Sequence, residues 1–179
     1  MDDAGANATK FTIFRKADIP PLTEAQFYGG ATTTPEQRDS MDKMLAAGWA
    51  DGEETRVMFN GPGFALVHAW FKAGYPLPLH SHGADCLYFI VAGSLSLGTE
   101  HLEAGDGFFV PANAAYTYTP GPDGVEVLEF RHTTMVGFRI LAKGAAFWSK
   151  SLQRVAEHRA DWKAARRPGR AQGAANPPA

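Results

Sequence analysis

The stretch Gly74-Tyr75-Pro76-Leu77-Pro78-Leu79-His80-Ser81-His82 decides how the chain is read. Two histidines one residue apart fall on the same face of a strand, where both imidazoles can grip one metal ion. On either side, from Arg56 to Leu141, the chain is a series of short apolar runs broken by Gly, Pro and Asn. They are Val57–Phe59, Phe64–Phe71, Leu87–Val91, Ser94–Leu97, Gly107–Val110, Tyr116–Thr119, Val125–Phe130 and Val136–Leu141. Many short strands at regular spacing predict an all-β core, a sandwich or barrel.

The flanks carry other signals. Thr34-Pro35-Glu36-Gln37 reads as a helix start, with a threonine N-cap, proline in the first turn and a glutamine placed to close a capping box. That helix presents Met41, Met44 and Leu45 and is expected to stop at Gly48, with Trp49 folding back. A second helix is expected over Ala145–Arg166, with Phe147, Trp148, Leu152, Val155 and Trp162 on a buried stripe. Phe11-Thr12-Ile13-Phe14 reads as a short strand or packing arm, Met1–Thr9 as a loose arm, and the Pro/Gly/Ala-rich tail after Arg167 as disordered. The expected organisation is an arm and helix over residues 1–55, a barrel over 56–142, a helix over 143–166 and a tail over 167–179.

A length of 179 residues suits one domain with appended ends, and 45% hydrophobic residues are enough for a sizeable core. The formal net charge of -2 gives no general attraction to nucleic acid or anionic membrane. Basic residues on the second helix (Arg154, Arg159, Lys163, Arg166, Arg167) are interspersed with Glu157 and Asp161 and read as a solvated face. Cys86 is the lone cysteine, which rules out an intrachain disulfide and fits a reducing compartment. No apolar run reaches a membrane span, and Met1–Lys10 lacks the apolar core of a signal peptide, so a cytoplasmic protein is expected.

Two spacings complete the pattern. The first runs Gly74, five residues, His80, one, His82, three, Cys86, six, Gly93; the second runs Gly105, five, Pro111, one, Asn113, two, Tyr116. A hairpin around Gly98–Glu103 joins them. Over roughly Arg56–Arg131 this resembles the cupin superfamily, specifically its small single-domain conserved-barrel members. The resemblance implies a double-stranded β-helix, a jelly-roll-like barrel with a central pocket, here with an N-terminal and a C-terminal helix. It implies a metal held by two histidines and a glutamate of the first motif and a third histidine of the second. His80 and His82 match the first two ligands; Cys86 stands at the glutamate position and Tyr116 at the third-histidine position. Asn113 and Pro120 replace a glycine and an asparagine of the second motif.

The altered set leaves several readings open. His80 and His82 can hold a divalent transition metal (Fe, Zn, Mn, Ni or Cu) with Cys86, Tyr116, water or substrate completing the shell, although thiolate and phenolate select no single metal. Cys86 and Tyr116 then tune or join the site, and oxidation can join the pair as a thioether. Alternatively the barrel is a metal-free pocket for a small, partly aromatic ligand, or a relic. For Cys86 the plain alternative is a small buried hydrophobe, and for Tyr116 a hydrogen-bonded pocket wall. Asp85 is expected to turn away from the cavity. His68 and His132 are secondary candidates, Glu129 can point inward, and His101 and His158 are expected at the surface. Trp70, Phe89, Phe109 and Tyr118 are candidate pocket walls.

Two functions follow from the resemblance. One is a metal-dependent, dioxygenase-type oxidoreductase acting on a small carbonyl or phenolic compound. The other is a non-catalytic cupin that binds or senses a small molecule, since the fold hosts both. Either is expected to be a homodimer, with no nucleic-acid or membrane partner.

Overall fold

The computed structural model describes residues 11–23, 31–61, 63–134 and 137–169. The expected arm at Met1–Thr9, the tail beyond Gly169 and the expected strand start at Val136 lie outside them. Among the described residues, eight strands and two α-helices follow in chain order. They are α1 (Pro35–Ala47), β1 (Glu53–Gly61), β2 (Phe64–Phe71), β3 (His80–His82), β4 (Cys86–Leu97), β5 (Glu100–Glu103), β6 (Gly107–Val110), β7 (Thr119–Arg131), β8 (Phe138–Ile140) and α2 (Ala145–Ala164).

The larger sheet is antiparallel, in the order β1-β2-β7-β4-β5 with β6 also paired to β4. Its inner face carries Val67, Ala69 and Phe71 from β2, Tyr88 and Ile90 from β4, and Val125 and Val127 from β7, all buried. The smaller layer is β3 paired with β8, His80 opposite Ile140 and His82 opposite Phe138. Its free edges are taken up by single bridges. Tyr116 exchanges both backbone bonds with His80 (3.0 and 3.1 Å), and Asn113 N–H donates to the His82 carbonyl at 2.7 Å. On the far side Thr32 bridges Arg139. The expected strand Tyr116–Thr119 is therefore a bridge at Tyr116 followed by the start of β7. The two layers face each other without closing into the expected barrel.

Helix α1 begins as its sequence requires: Thr34 Oγ1 accepts from Gln37 N–H at 3.3 Å and Gln37 Oε1 accepts from Thr34 N–H at 2.8 Å. Gln37 is itself buried, and its amide donates to the carbonyls of Ile140 (3.1 Å) and Ala142 (3.0 Å). One residue thus closes the cap and fastens the helix to β8, the strand that holds β3. The helix ends at Gly48 in the left-handed conformation, φ 99°. Trp49 is fully buried and stacks on Tyr75 of the opening stretch, with Phe71 and Trp162 of α2 against the other sides of Tyr75. Helix α2 buries Trp148, Ser151, Val155 and Trp162 and ends at Ala164, two residues before its expected end.

Two expectations change here. The runs Leu87–Val91 and Ser94–Leu97 are one strand, β4, whose pairing to β7 is broken by irregularities flanking Ala92 and Gly93. Phe11–Phe14 forms no strand but the arm that was its alternative, with the Phe14 ring 6.3 Å from Phe59 while Phe11 and Ile13 stay 95% and 64% exposed. Alternation was present there, but no free strand edge is paired with it. No helix among the described residues is long and apolar enough to cross a membrane.

Gly93 has φ 75° and faces the Gly124 carbonyl, which an added Cβ would strike, whereas Gly98 has φ 62° with nothing near. Gly98→Ala is expected to cost about 1–2 kcal/mol, the left-handed penalty alone. Gly93→Ala should cost roughly 1–3 kcal/mol more through overpacking. Chemical denaturation of both variants checks this; equal midpoints would mean that β4 and β7 do not approach closely at the irregularity.

Candidate functional site

The two histidines lie together as their spacing requires. Both are buried, with ring centroids 5.2 Å apart and ring planes near perpendicular. His80 Nδ1 is 2.8 Å from the Pro78 carbonyl, so this nitrogen carries the proton and donates. Nε2 is left as a lone-pair acceptor. Aromatic rings surround them: Tyr116 is 4.4 Å from His80 and 6.1 Å from His82, and Phe138 is 5.8 and 6.1 Å away.

The sequence pattern did not single out the group that dominates this site. Arg131, the last residue of β7, is 2% exposed. Its Nη2 donates to Glu129 Oε2 at 2.8 Å and lies 3.4 Å from both ring nitrogens of His82. An in-plane approach equidistant from both nitrogens would drive Nη2 into Cε1, so the guanidinium rests against the ring face. Arg131 Nε is buried with no hydrogen-bond partner among the described residues. The signal was nevertheless present. Val125, Val127, Glu129 and Arg131 share one parity on a strand whose first two members are core residues.

Charge in the site follows from burial. Burial, the Arg131 charge and His80 push His82 down to about 2. Burial pushes His80 down to about 4, with Arg131 adding to it and the Pro78 bond opposing. Cys86 is pushed up to about 12 by burial and by the Glu129 carboxylate. Tyr88, Tyr116 and Tyr118 are held well above the usual phenol range, again by burial first and Glu129 second. Burial, the largest single influence, lowers the Arg131 guanidinium, but Glu129 together with Cys86 and Tyr88 leaves it above its ordinary value. At neutral pH the site is therefore a set of neutral groups around one Arg131–Glu129 ion pair.

Cys86 and Tyr116 do enter the same core cluster, yet each meets Tyr88. The Tyr88 and Tyr116 hydroxyls are hydrogen-bonded to each other, and Tyr88 also tempers the rise of the Cys86 thiol. Asp85 behaves as a turn residue, its carboxylate accepting from Ala112 N–H at 2.8 Å. His68 is on the opposite face of the large sheet, 3.6 Å from Glu126, while His132 and His101 are exposed. His158 is half-buried and stacks on Trp162. Of the expected pocket walls only Tyr118 is inside. Phe89 and Phe109 are 49% and 60% exposed, and Trp70 lies on the outer face under Lys72 and Arg167. Their inward neighbours Tyr88 and Phe108 stack at 4.5 Å instead. A groove of about 590 Å³ opens beside Trp70 and Trp162. Two of its cations are already engaged, Lys72 by the carbonyls of Asp51 and Trp162 and Arg167 by Glu54 and Glu126.

These donors do not fit a resident divalent metal. Among the described residues no three of His, Cys, Asp and Glu gather as a metal-binding set. A dication roughly 2 Å from a His82 nitrogen would lie on the order of 5 Å from the guanidinium. At an effective dielectric of about 20 the repulsion is roughly 6–7 kcal/mol. Glu129 offsets part of that, but its carboxylate is already bonded to Arg131.

The chain has a cupin fold, opened into two facing layers. The first motif runs from the left-handed turn at Gly74 through β3 to the irregularity at Gly93 in β4. The second runs from the left-handed turn at Gly105 through β6 to the bridge at Tyr116. No family model matches the chain, and no curated protein matches its sequence. Solved structures similar to it include an RmlC-like cupin from Shewanella frigidimarina, 22% identical with a TM-score of 0.42 over 47% of this chain and 78% of that one. KdgF from a Halomonas species is 22% identical, with a TM-score of 0.39 over 45% and 81% of the two chains. The polyketide cyclase RemF from Streptomyces resistomycificus is 15% identical, with a TM-score of 0.49 over 59% and 82%. The likeness is one of fold.

Burial of two neutral histidines sets a pH dependence. Their folded-state pKa values lie below the ordinary 6.5, so below about pH 6.5 the unfolded chain takes up protons that the folded chain refuses. Stability should fall as pH drops toward about 4, by up to roughly 1.4 kcal/mol per pH unit for each histidine. Urea unfolding at pH 7 and pH 5 measures it, and His80→Gln should flatten the slope. Unchanged stability over that interval would mean that the rings are not held neutral.

Proposed function

We propose that this chain is a metal-independent cupin that binds a small, neutral, planar carbonyl or phenolic compound between its two layers, without turnover. The observation that carries this reading is Arg131, buried against His82 and bonded to Glu129, which puts a fixed cation where the fold's metal chemistry would need an open one. His80 Nε2 offers an acceptor, Arg131 Nε a donor without a protein partner, and the Tyr88–Tyr116 hydroxyl pair can turn toward either role. An acceptor and a donor between aromatic rings suit a ligand bearing both a hydroxyl and a carbonyl group. The internal ion pair leaves no net charge to attract a free carboxylate, which would compete with Glu129 for Arg131.

The metal-dependent oxidoreductase reading retains one observation in its favour: two histidines 5.2 Å apart, one with a free Nε2. Both readings meet in one experiment. Chelator-treated protein titrated with 2-hydroxybenzaldehyde, and followed by NMR of the histidine rings and the Arg131 Nε–H, should show saturable shifts at His80, His82 and Arg131. Arg131→Lys, which keeps the charge and loses the planar fork, should weaken binding by about tenfold or more. Shifts that appear only after a metal is added, or stoichiometric metal retained through purification, would decide for the oxidoreductase.

A further inference from the structure

A pocket of about 240 Å³ opens beside α2, lined by neither His80 nor His82. One wall is the stretch Tyr75–Leu77 against Thr117–Thr119, tied together where Thr117 Oγ1 donates to the Leu77 carbonyl at 2.7 Å. Tyr75 and Tyr118 are both buried in it. Tyr118 also packs edge-on against Tyr88 and Phe108, with ring centroids 6.5 and 6.0 Å apart, so one ring belongs both to the pocket wall and to the core. The other wall is α2, which presents Phe147, Lys150 and Arg154 at i, i+3 and i+7 on one face. Phe147 is half-buried, and the two cations are exposed at the rim. Their charge is one-sided, since no acidic residue among the described ones lines the pocket. Lys150 and Arg154 stand four residues apart, a like-charge spacing that destabilises a helix. Among the described residues neither is in an ion pair. Glu157, the acid nearest Arg154 along the helix, accepts from Gln153 at 2.8 Å instead.

We infer that this pocket binds a small aromatic carboxylate, its ring among Tyr75, Tyr118 and Phe147 and its carboxylate between Lys150 and Arg154. Size limits the ligand first. The space is below the roughly 300–1,000 Å³ of pockets that take drug-sized molecules, and it suits a single ring with a short substituent. Three aromatic side chains favour a flat apolar body. The two cations favour a negative end, and the arginine fork can hold a carboxylate through two parallel bonds. Inorganic phosphate would answer the cations and leave the aromatic wall in contact with water. A neutral ring would cover that wall and leave the cations without a counter-charge. Only a molecule carrying both features satisfies both. The contrast with the buried arginine is one of charge: Arg131 already has Glu129, whereas Lys150 and Arg154 have no carboxylate of their own. The pocket is independent of whatever His80 and His82 hold.

Heteronuclear NMR of the full chain titrated with sodium benzoate at low ionic strength tests this. Saturable shifts are expected at Tyr118, Phe147, Lys150 and Arg154, with a dissociation constant on the order of 1 mM. Benzyl alcohol, which keeps the ring and loses the charge, and inorganic phosphate, which does the reverse, should each bind about tenfold more weakly. Lys150→Gln/Arg154→Gln should also lose about tenfold in benzoate affinity. Its melting temperature should not fall, because both side chains are exposed and their mutual repulsion is removed. No saturation below about 20 mM, shifts confined to the His80 and His82 rings, phosphate binding as tightly as benzoate, or a double variant that binds like wild type would overturn the inference.

Discussion

Arg131 is the point on which the site depends. A guanidinium 2% exposed at the end of a strand persists only if a carboxylate and further polar groups compensate its lost hydration, and Glu129 lies two residues earlier on the same face. Their pairing fixes the local electrostatics. The Arg131 charge helps hold both histidines neutral, the Glu129 charge helps hold Cys86 and three tyrosines protonated, and the cation opposes a second one at His82. Such a pair adds little net stability compared with well-packed apolar side chains. Losing one partner, however, strands the other, typically at about 3–5 kcal/mol.

The rest of the fold brings that pair against the histidines. Strand β3 is only three residues long and cannot hold itself in place. It is held on one side by β8, which Gln37 fastens to α1, and on the other by the bridge at Tyr116 and the bond from Asn113. Pro76 and Pro78 limit the approach to extended backbone, and Pro78 also supplies the carbonyl that sets the His80 tautomer. Tyr75 anchors the start of the same stretch between Trp49, Phe71 and Trp162. The opening sequence therefore spans the aromatic core and the polar site, with each residue type matched to its place.

Much of the architecture was legible because it rests on short-range rules. The capping box at Thr34, the stop at Gly48 and strands β2 and β6 followed from local chemistry. Gly74, Gly93 and Gly105 have left-handed backbone that other residues enter only with strain, Gly93 within β4. Parity was the weak point. Phe89 and Phe109 had the composition of pocket walls, but their register turns them outward and Tyr88 and Phe108 inward. A strand's two faces look alike in sequence when both are apolar. For the same reason the second layer was read as more strand than it contains, since Tyr116 joins it by one bridge. Arg131 was missed because charged residues at strand ends usually face solvent. Only its parity with Val125, Val127 and Glu129, together with the absent third histidine, could have placed it inside.

Cys86, Tyr116 and the buried arginine set the charge of the site together. Cys86 and Tyr116 are held protonated and bring no negative charge, and the fixed cation beside the histidines is Arg131. Anomalous diffraction from crystals of the untreated protein, collected across the Mn, Fe, Ni, Cu and Zn edges, tests this most directly. The account predicts no anomalous peak between His80 and His82, with the Arg131 guanidinium against the His82 ring and bonded to Glu129. A peak bonded to His80 Nε2 and a His82 nitrogen, with Arg131 displaced, would contradict it.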